Sequence, residues 1–301
     1  MDLLMIGMNS WAAERLLSMK LSAPTHQHYT ERLDDLTFGN RLYFGGGNKF
    51  EQRPMGDRVA NTGWSWGATS FDMDNDGDTD LFIANGHKSR DSVKDYERQF
   101  WCHDIYHATS EPNPAMEVYI QGTSSRLYGA GYSYGGYEKN RLLLNRENKS
   151  LDDVAFLMNA SHEIDSRNVA SGDIDGDGRL DLFFTHFSVW PEPGSQGLLM
   201  ARNLWPGDNR WVGFRLARSA DCPSLNGTKV HLRAGGRDQW RTIVNGDSYR
   251  SQHAPIAHFG LGQAAAVEFV EIHWPNGQTT RIDEPPLGQY HGVQAVTPPA
   301  E

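Results

Sequence analysis

The sequence predicts an all-β protein in which a partial β-propeller is followed by a small β-sandwich-like domain. Residues 67–85 align with residues 168–186, and each segment reads as a strand, an acidic loop and a second strand. Repeats that each hold several short strands are typical of propellers and solenoids. The 31 glycines, nine tryptophans and eleven tyrosines among 301 residues also fit many strands joined by tight turns.

The chain begins inside a repeat unit, because Asp2–Met5 matches Asp80–Ile83, the strand that follows an acidic loop. Asn40–Phe44 and Asn140–Leu144 match each other in the same way. We therefore expect residues 1–205 to form propeller blades. They hold about three blades, whereas propellers close with about four to eight. The sequence thus predicts that the remaining blades, and a signal peptide, are missing from this chain.

Both acidic loops have the spacing D-x-D-x-D-G-x-x-D, which matches the oxygen-ligand loops that bind calcium. Carboxylates this close together repel one another unless a cation lies between them. The glutamate at position 12 of an EF-hand is absent, since Ile83 and Phe184 stand there. The alternative is that the loops are polar turns without a metal. The predicted Ca²⁺ ligands, which include the position-7 backbone carbonyls of Asp78 and Arg179, are Asp72, Asp74, Asp76, Asp78, Asp80, Asp173, Asp175, Asp177, Arg179 and Asp181.

An insertion at residues 88–137 interrupts the repeat and carries the aromatic residues that we expect to contact a ligand. Arg90–His107 is predicted to be a short helix, and a stretch rich in Gly, Tyr and Ser follows at 128–137. Tyrosines on such a loop offer rigid, amphipathic contact area for sugars or proteins. The alternative is that they pack the insertion onto the propeller. The candidate contact residues are Trp101, Tyr128, Tyr132, Tyr134 and Tyr137.

Residues 209–293 are predicted to form the sandwich, and residues 294–301 a loose tail. Pro275-Asn276-Gly277 predicts a hairpin turn. Gly260–Gly262 is interpreted as a turn rather than a phosphate loop, because neither a helix nor a lysine follows it. The expected strands are Trp211–Leu216, Thr228–Leu232, Gln239–Val244, Val267–Trp274 and Thr279–Ile282.

No catalytic residue and no organic cofactor are predicted. G-x-S-x-G occurs around Ser65 and Ser133, but neither serine lies between a buried strand and a helix, as a nucleophile elbow requires. His103 and His107 have the i,i+4 spacing that can bind a transition metal. No glutamate follows His103 in the H-E-x-x-H pattern, and we expect ordinary packing or surface histidines.

The charge and hydropathy patterns argue against nucleic-acid binding and against a membrane span. The 38 acidic residues outnumber the 28 basic ones and give a net charge of −10. A nucleic-acid-binding protein would show a basic face instead. The sequence has no run of about 18 apolar residues, and no membrane span is predicted.

Two unrelated sets of motifs carry a resemblance to known families. The acidic loops with their flanking strands resemble the FG-GAP/VCBS repeats of integrin-type β-propellers. Residues 209–293 resemble the ASPIC/UnbV domain. Together the two regions resemble the cartilage acidic protein family over nearly the whole chain except 88–137. The ASPIC/UnbV motifs are Asn226–Val230, Tyr249–Gln252, His258–Gly262 and Trp274–Gly277.

The resemblance implies a secreted or surface protein with a calcium-bearing propeller, and it implies no reaction. We therefore expect a binding or adhesion module that acts in the extracellular space, at the cell surface or in the periplasm. Its partner would be an extracellular protein or a carbohydrate. One alternative is a hydrolase that acts on a polysaccharide or ester between propeller and insertion. Another is a purely structural part of a larger surface protein.

Overall fold

The computed structural model describes residues 2–19, 32, 35–106, 114–188 and 195–295. Within these ranges nineteen strands form six sheets, and the all-β prediction is confirmed. Three sheets form the blade region, one strand pair lies in the insertion, and two sheets make the C-terminal sandwich. In the described part of the chain, no helix is both long enough and apolar enough to cross a membrane.

The blade region comprises three antiparallel sheets, which we number in chain order. Sheet 1 contains the strands β1 (Leu3–Met5), β2 (Arg41–Gly46) and β3 (Lys49–Gln52). Sheet 2 contains the strands β4 (Ser65–Phe71), β5 (Asp80–Asn85), β8 (Arg141–Arg146) and β9 (Ser150–Asp153). Sheet 3 contains the strands β10 (Asp165–Gly172), β11 (Asp181–Ser188) and β12 (Ser195–Ala201).

The predicted repeat extends to the pairing register of the strands. Leu4 on β1 pairs with Leu42 on β2, and Phe82 on β5 pairs with Leu142 on β8. These are the positions that the alignment of Asp2–Met5 with Asp80–Ile83 makes equivalent. Sheet 1 therefore repeats the β5–β8 part of sheet 2.

The apolar residues of the blades lie between neighbouring sheets. Strand β5 is buried along its whole length, and alternate side chains face opposite ways. Ile83 packs with the residues of sheet 1, while Phe82 packs with those of sheet 3. The rings of Phe82 and Phe184 lie 5.2 Å apart at the centre of the second core. Sheet 2 thus supplies one half of each of two cores.

The helices whose full bounds lie in the described ranges include α1 (Trp11–Ser18), α2 (Asp57–Ala60), α3 (Glu97–Tyr106) and α4 (Pro114–Gly129), with a short 3₁₀ turn at Pro54–Gly56. The Ser10 side chain accepts a hydrogen bond from the amide of Ala13 and caps α1. Helix α1 packs against α3 through Ala13 and Trp101.

The predicted boundaries within the insertion are wrong in two places. The helix predicted for Arg90–His107 begins only at Glu97, because β6 (Ser92–Asp95) pairs in parallel with β7 (Tyr132–Ser133). Helix α4 was not predicted at all. Pro114 begins α4, because proline lacks the amide hydrogen that is unpaired at a helix start. His107 lies outside the described residues.

The sandwich has two sheets that enclose a core of their own. One has the order β15 (Arg237–Thr242), β14 (Lys229–Ala234), β17 (Val267–His273), β18 (Thr279–Asp283). The other has the order β16 (Ile256–Gly262), β13 (Arg210–Ala217), β19 (Tyr290–Gln294). The turn expected at Gly260–Gly262 is wrong, because these residues pair with β13 as the end of β16.

Candidate metal centres

The first acidic loop joins β4 to β5 and brings three carboxylates together. Oxygen atoms of Asp72, Asp74 and Asp80 all lie within 4.8 Å of one another. Asp72 is only 2% exposed and Asp80 only 1%, so that two of the three carboxylates are removed from water. This arrangement presents hard oxygen ligands to a common point, as calcium requires.

Asp72 has a buried carboxylate oxygen that a cation would satisfy. Its Oδ2 accepts a hydrogen bond from the amide of Gly77 at 2.9 Å, whereas no donor among the described residues reaches its buried Oδ1. Burial raises the pKa of Asp72 to about 7 and that of Asp80 to about 8. An unpaired buried acceptor is costly, and a bound cation would satisfy it. These residues therefore fit a calcium ion.

The two remaining predicted aspartates of this loop are used elsewhere. The Asp76 Oδ1 accepts the amide of Asp78 at 2.7 Å. The carboxylate of Asp78 pairs with Arg237 and accepts from Asn148 at 2.9 Å. The clustered set includes neither carboxylate. The structure thus brings together three of the predicted side chains, at loop positions 1, 3 and 9.

The second acidic loop also clusters three carboxylates, those of Asp173, Asp175 and Asp177. Its charges, however, have protein partners. Arg202 lies 2.6 Å from Asp175 and 3.5 Å from Asp177, and Arg179 pairs with Asp177 as well. Arg179 was predicted to contribute only a backbone carbonyl, and its guanidinium instead neutralises one of the candidate ligands.

The aspartate at position 9 has a structural role that the sequence analysis missed. Asp80 accepts the amides of Met73 and Asn145, each at 2.7 Å. Asp181 likewise accepts the amides of Ile174 at 3.1 Å and Asn203 at 2.8 Å. Each carboxylate thus joins the start of its own loop to a neighbouring segment, Asn145 on β8 or Asn203 just after β12. Asp2, which the sequence matches to Asp80, has the same role: its Oδ1 accepts the amide of Gly45 on β2 at 2.9 Å. The recurrence of aspartate at this repeat position is the sequence signal for the role.

Of the five residues predicted to contact a ligand, Trp101 is buried, which contradicts the prediction for it. Its side chain is 4% exposed, packs on Ala13, and donates to Glu97 Oε1 at 3.0 Å. Tyr134 stacks on Tyr96 with ring centroids 4.9 Å apart. For these two residues the alternative, that aromatic side chains pack the insertion onto the blades, describes the structure better.

The other three tyrosines are placed differently from one another. Tyr137 donates its hydroxyl hydrogen to the carbonyl of Arg90, within the insertion. Tyr132 on β7 is half-buried. Tyr128 ends α4 instead of lying on a loop, is 40% exposed, and has the cations of Lys88 and Arg90 at 4.4 and 3.7 Å from its ring centroid. Only Tyr128 keeps a substantial free aromatic surface.

The serines of the two G-x-S-x-G patterns are not nucleophiles. Ser65 is 6% exposed, and its hydroxyl lies 2.7 Å from the Asn85 side-chain oxygen. Ser133 is fully buried and donates to the carbonyl of Ser92 at 2.6 Å. Neither hydroxyl contacts a histidine in the described structure, and both serines take part in the packing of their strands.

One hydroxyl–histidine–carboxylate series does occur, beside a cleft of about 900 Å³ between blades and sandwich. His253 Nδ1 lies 2.8 Å from Asp247, and its Nε2 lies 3.0 Å from the Thr69 hydroxyl. The amide of Ser171 also donates to Nε2, at 3.2 Å. Because Thr69 is 3% exposed, its hydroxyl cannot reach a substrate in the cleft. The series therefore serves as a contact between sandwich and blades.

Comparison with known proteins finds a family match over most of the C-terminal sandwich. Residues 221–298 match the family described as ASPIC and UnbV. Cartilage acidic protein 1 of Xenopus tropicalis is 30% identical over 181 residues, which are 56% of this chain and 26% of that protein. The resemblance to the cartilage acidic protein family is confirmed. The human protein of the same name is 28% identical over 183 residues, with the same shares of the two chains. This chain therefore spans about a quarter of the length of the curated relatives that it matches.

Proposed function

We propose that this chain is part of an extracellular binding protein whose blades are stabilised by calcium, with the first acidic loop as the principal metal site. The observation that carries the proposal is the buried Oδ1 of Asp72, which no donor among the described residues reaches. Asp74 and Asp80 point oxygens at the same place. Calcium in extracellular modules binds with a Kd of about 10⁻⁴–10⁻³ M, which suits a structural ion outside the cell.

The second loop is expected to bind calcium more weakly. Its carboxylates already pair with Arg179 and Arg202, and a calcium ion would have to displace at least one of these cations. Asp173 is also engaged, since it accepts the Tyr290 hydroxyl at 3.0 Å. Each displaced ion pair makes calcium binding less favourable.

An extracellular location is supported by the relatives rather than by the chain itself. The curated relatives are named as acidic proteins of cartilage. The net charge of −10 agrees with an acidic member of such a group.

Ligand contact is proposed for the exposed end of α4. Tyr128 offers an aromatic face, and Lys88 and Arg90 add two cations beside it. A protein or carbohydrate partner that carries acidic groups would complement this surface. Tyr128→Ala is expected to weaken binding to a glycan array or to captured acidic proteins. Tyr119→Ala, on the same helix but more exposed (66% against 40% for Tyr128), is the control.

Calorimetric titration of the whole chain with calcium tests the metal site. We expect one dominant site with a Kd of about 10⁻⁴–10⁻³ M, and a melting temperature that falls when EGTA replaces calcium. Asp74→Asn should remove most of the heat of binding, whereas Asp152→Asn, a surface aspartate paired with Arg146, should leave it unchanged. Superimposable melting curves in calcium and EGTA would contradict the proposal.

A further inference from the structure

We propose that the ion held by the first acidic loop fastens the sandwich to the blades, so that calcium binding and docking of the sandwich stabilise each other. This inference rests on the proposed function of that loop as a calcium site. It goes beyond a local stabilising role, because it makes the relative position of two parts of the protein depend on one ion.

Four consecutive carbonyls of the loop accept hydrogen bonds from the sandwich. Asn209, directly before β13, donates its side-chain amide to the carbonyl of Asp74 at 2.8 Å. The amide of Gly262 on β16 donates to the carbonyl of Asn75 at 2.8 Å. Arg237 on β15 donates to the next two carbonyls, those of residues 76 and 77, each at 3.3 Å. It also pairs with the carboxylate of Asp78, which is 4% exposed.

These bonds require the loop to keep one shape. The carbonyls point outward to the sandwich only while the carboxylates of Asp72, Asp74 and Asp80 converge on the inside. Without a cation the like charges repel, and the buried Oδ1 of Asp72 has no partner in the described structure. A loop that opens to hydrate these carboxylates moves the same carbonyls away from their donors.

The fit between sandwich and loop leaves little room for such movement. A Cβ atom placed on Gly260 of β16 would lie 2.1 Å from Asp72 Oδ2 and 2.5 Å from the Cα of Asn75. Glycine therefore lets β16 lie directly against the ligand residue. A displacement of the loop by one or two ångströms toward the sandwich would collide with this strand.

The sandwich also contacts the second loop through the first. The Asn75 side chain donates to the carbonyl of Gly178 in the second loop at 2.9 Å, and its oxygen lies 2.8 Å from His258 Nε2. His258 stacks on Trp211 with ring centroids 5.3 Å apart. A Cβ on Gly178 would collide with the Trp211 indole at 1.8 Å, so the second loop also fits closely against the sandwich.

Linkage makes the proposal testable, because if calcium favours docking by a given factor, docking must raise calcium affinity by the same factor. Arg237→Ala removes the bonds to three consecutive loop residues while leaving every carboxylate ligand in place. We expect its calcium affinity, measured by calorimetry on the whole chain, to fall about tenfold, as for loss of charge-assisted hydrogen bonds. Arg233→Ala is the matched control, since Arg233 pairs with Asp238 and Glu268 inside the sandwich.

A second measurement needs no variant. Hydrogen exchange of the wild-type chain reports on the amide of Gly262, which donates to the loop, and on the amides of β14, which lie inside the sandwich. We expect EGTA to speed exchange at Gly262 while β14 stays protected.

Two outcomes would overturn the inference, and only the second also overturns the proposed function. The first outcome is that the wild-type chain binds calcium, that Arg237→Ala binds it with unchanged affinity, and that Gly262 stays protected in EGTA. This outcome would mean that the sandwich docks without the ion. In that case the calcium site itself remains supported. If the wild-type chain binds no calcium at all, the proposed function and this inference both fail.

Discussion

Replacing Asp72 by asparagine is expected to stabilise the calcium-free protein and to remove its response to calcium. The substitution keeps the size of the side chain and an oxygen that can accept the Gly77 amide. It removes the charge that is buried without a hydrogen-bond donor on Oδ1 within the described structure. The same change therefore acts in two ways, depending on whether an ion is present.

The magnitude follows from the buried charge. Burial raises the pKa of Asp72 from 3.8 to about 7. For an acid whose pKa is higher in the folded state, stability falls as pH rises from the unfolded value to the folded value. At about 1.4 kcal/mol for each tenfold change, ionised Asp72 costs about 4 kcal/mol above pH 7 in the absence of calcium. This is an upper bound for the gain in Asp72→Asn, because Arg241 loses an anionic neighbour.

Denaturant titrations at pH 5 and pH 8, in EGTA and in calcium, measure both effects. In EGTA the wild-type protein should lose stability between pH 4 and 7, and the variant should lose less. In calcium at a hundred times Kd the wild type should gain about 2.7 kcal/mol, and the variant little. The reasoning is refuted if Asp72→Asn is less stable than the wild type in EGTA at pH 8, or if both proteins respond equally to calcium.

Three further predictions test other parts of the structure. Burial raises the pKa of Glu138 to about 7, so wild-type stability should fall by up to about 3 kcal/mol as pH rises from 4.5 to 7, and Glu138→Gln should flatten this slope in denaturant titrations. Arg202→Ala frees Asp175, leaves Asp177 paired with Arg179, and should add a second calorimetric calcium site; an unchanged stoichiometry would mean that Arg202 does not compete with the ion. Trp101→Ala should cost about 3–5 kcal/mol of unfolding free energy without altering partner binding, whereas lost binding in a stable variant would restore Trp101 as a contact residue.

The repeat could be predicted from the sequence because its signal is local. The D-x-D-x-D-G spacing and the strands around it depend on neighbouring residues, and the match of Asp2–Met5 to Asp80–Ile83 even anticipated the strand register. The same local signal does not show which other partners the loop carboxylates have. Asp76 and Asp78 have the expected spacing, but their carboxylates bond to the loop amide and to Arg237. Arg237 lies 159 positions from Asp78, and no local pattern shows that contact.

The insertion and part of the sandwich could not be predicted for a different reason. Trp101 was interpreted as a contact residue because the sequence alone does not show whether an aromatic side chain is buried or exposed. Its burial depends on α1, which lies about 90 residues earlier in the chain and has no counterpart in the repeat. Gly260 and Gly262 read as a turn locally, yet β16 requires glycine because it lies against Asp72.

The two kinds of core have unequal consequences for cooperativity. The sandwich closes its core on itself, whereas each blade core is divided between two sheets. Loss of one blade therefore leaves half a core open on its neighbour, and damage should spread from blade to blade as in other repeat proteins. The sandwich can separate from the blades without exposing its own interior. Local opening at that junction should be the lowest-energy excursion of the native protein, well below the free energy of global unfolding.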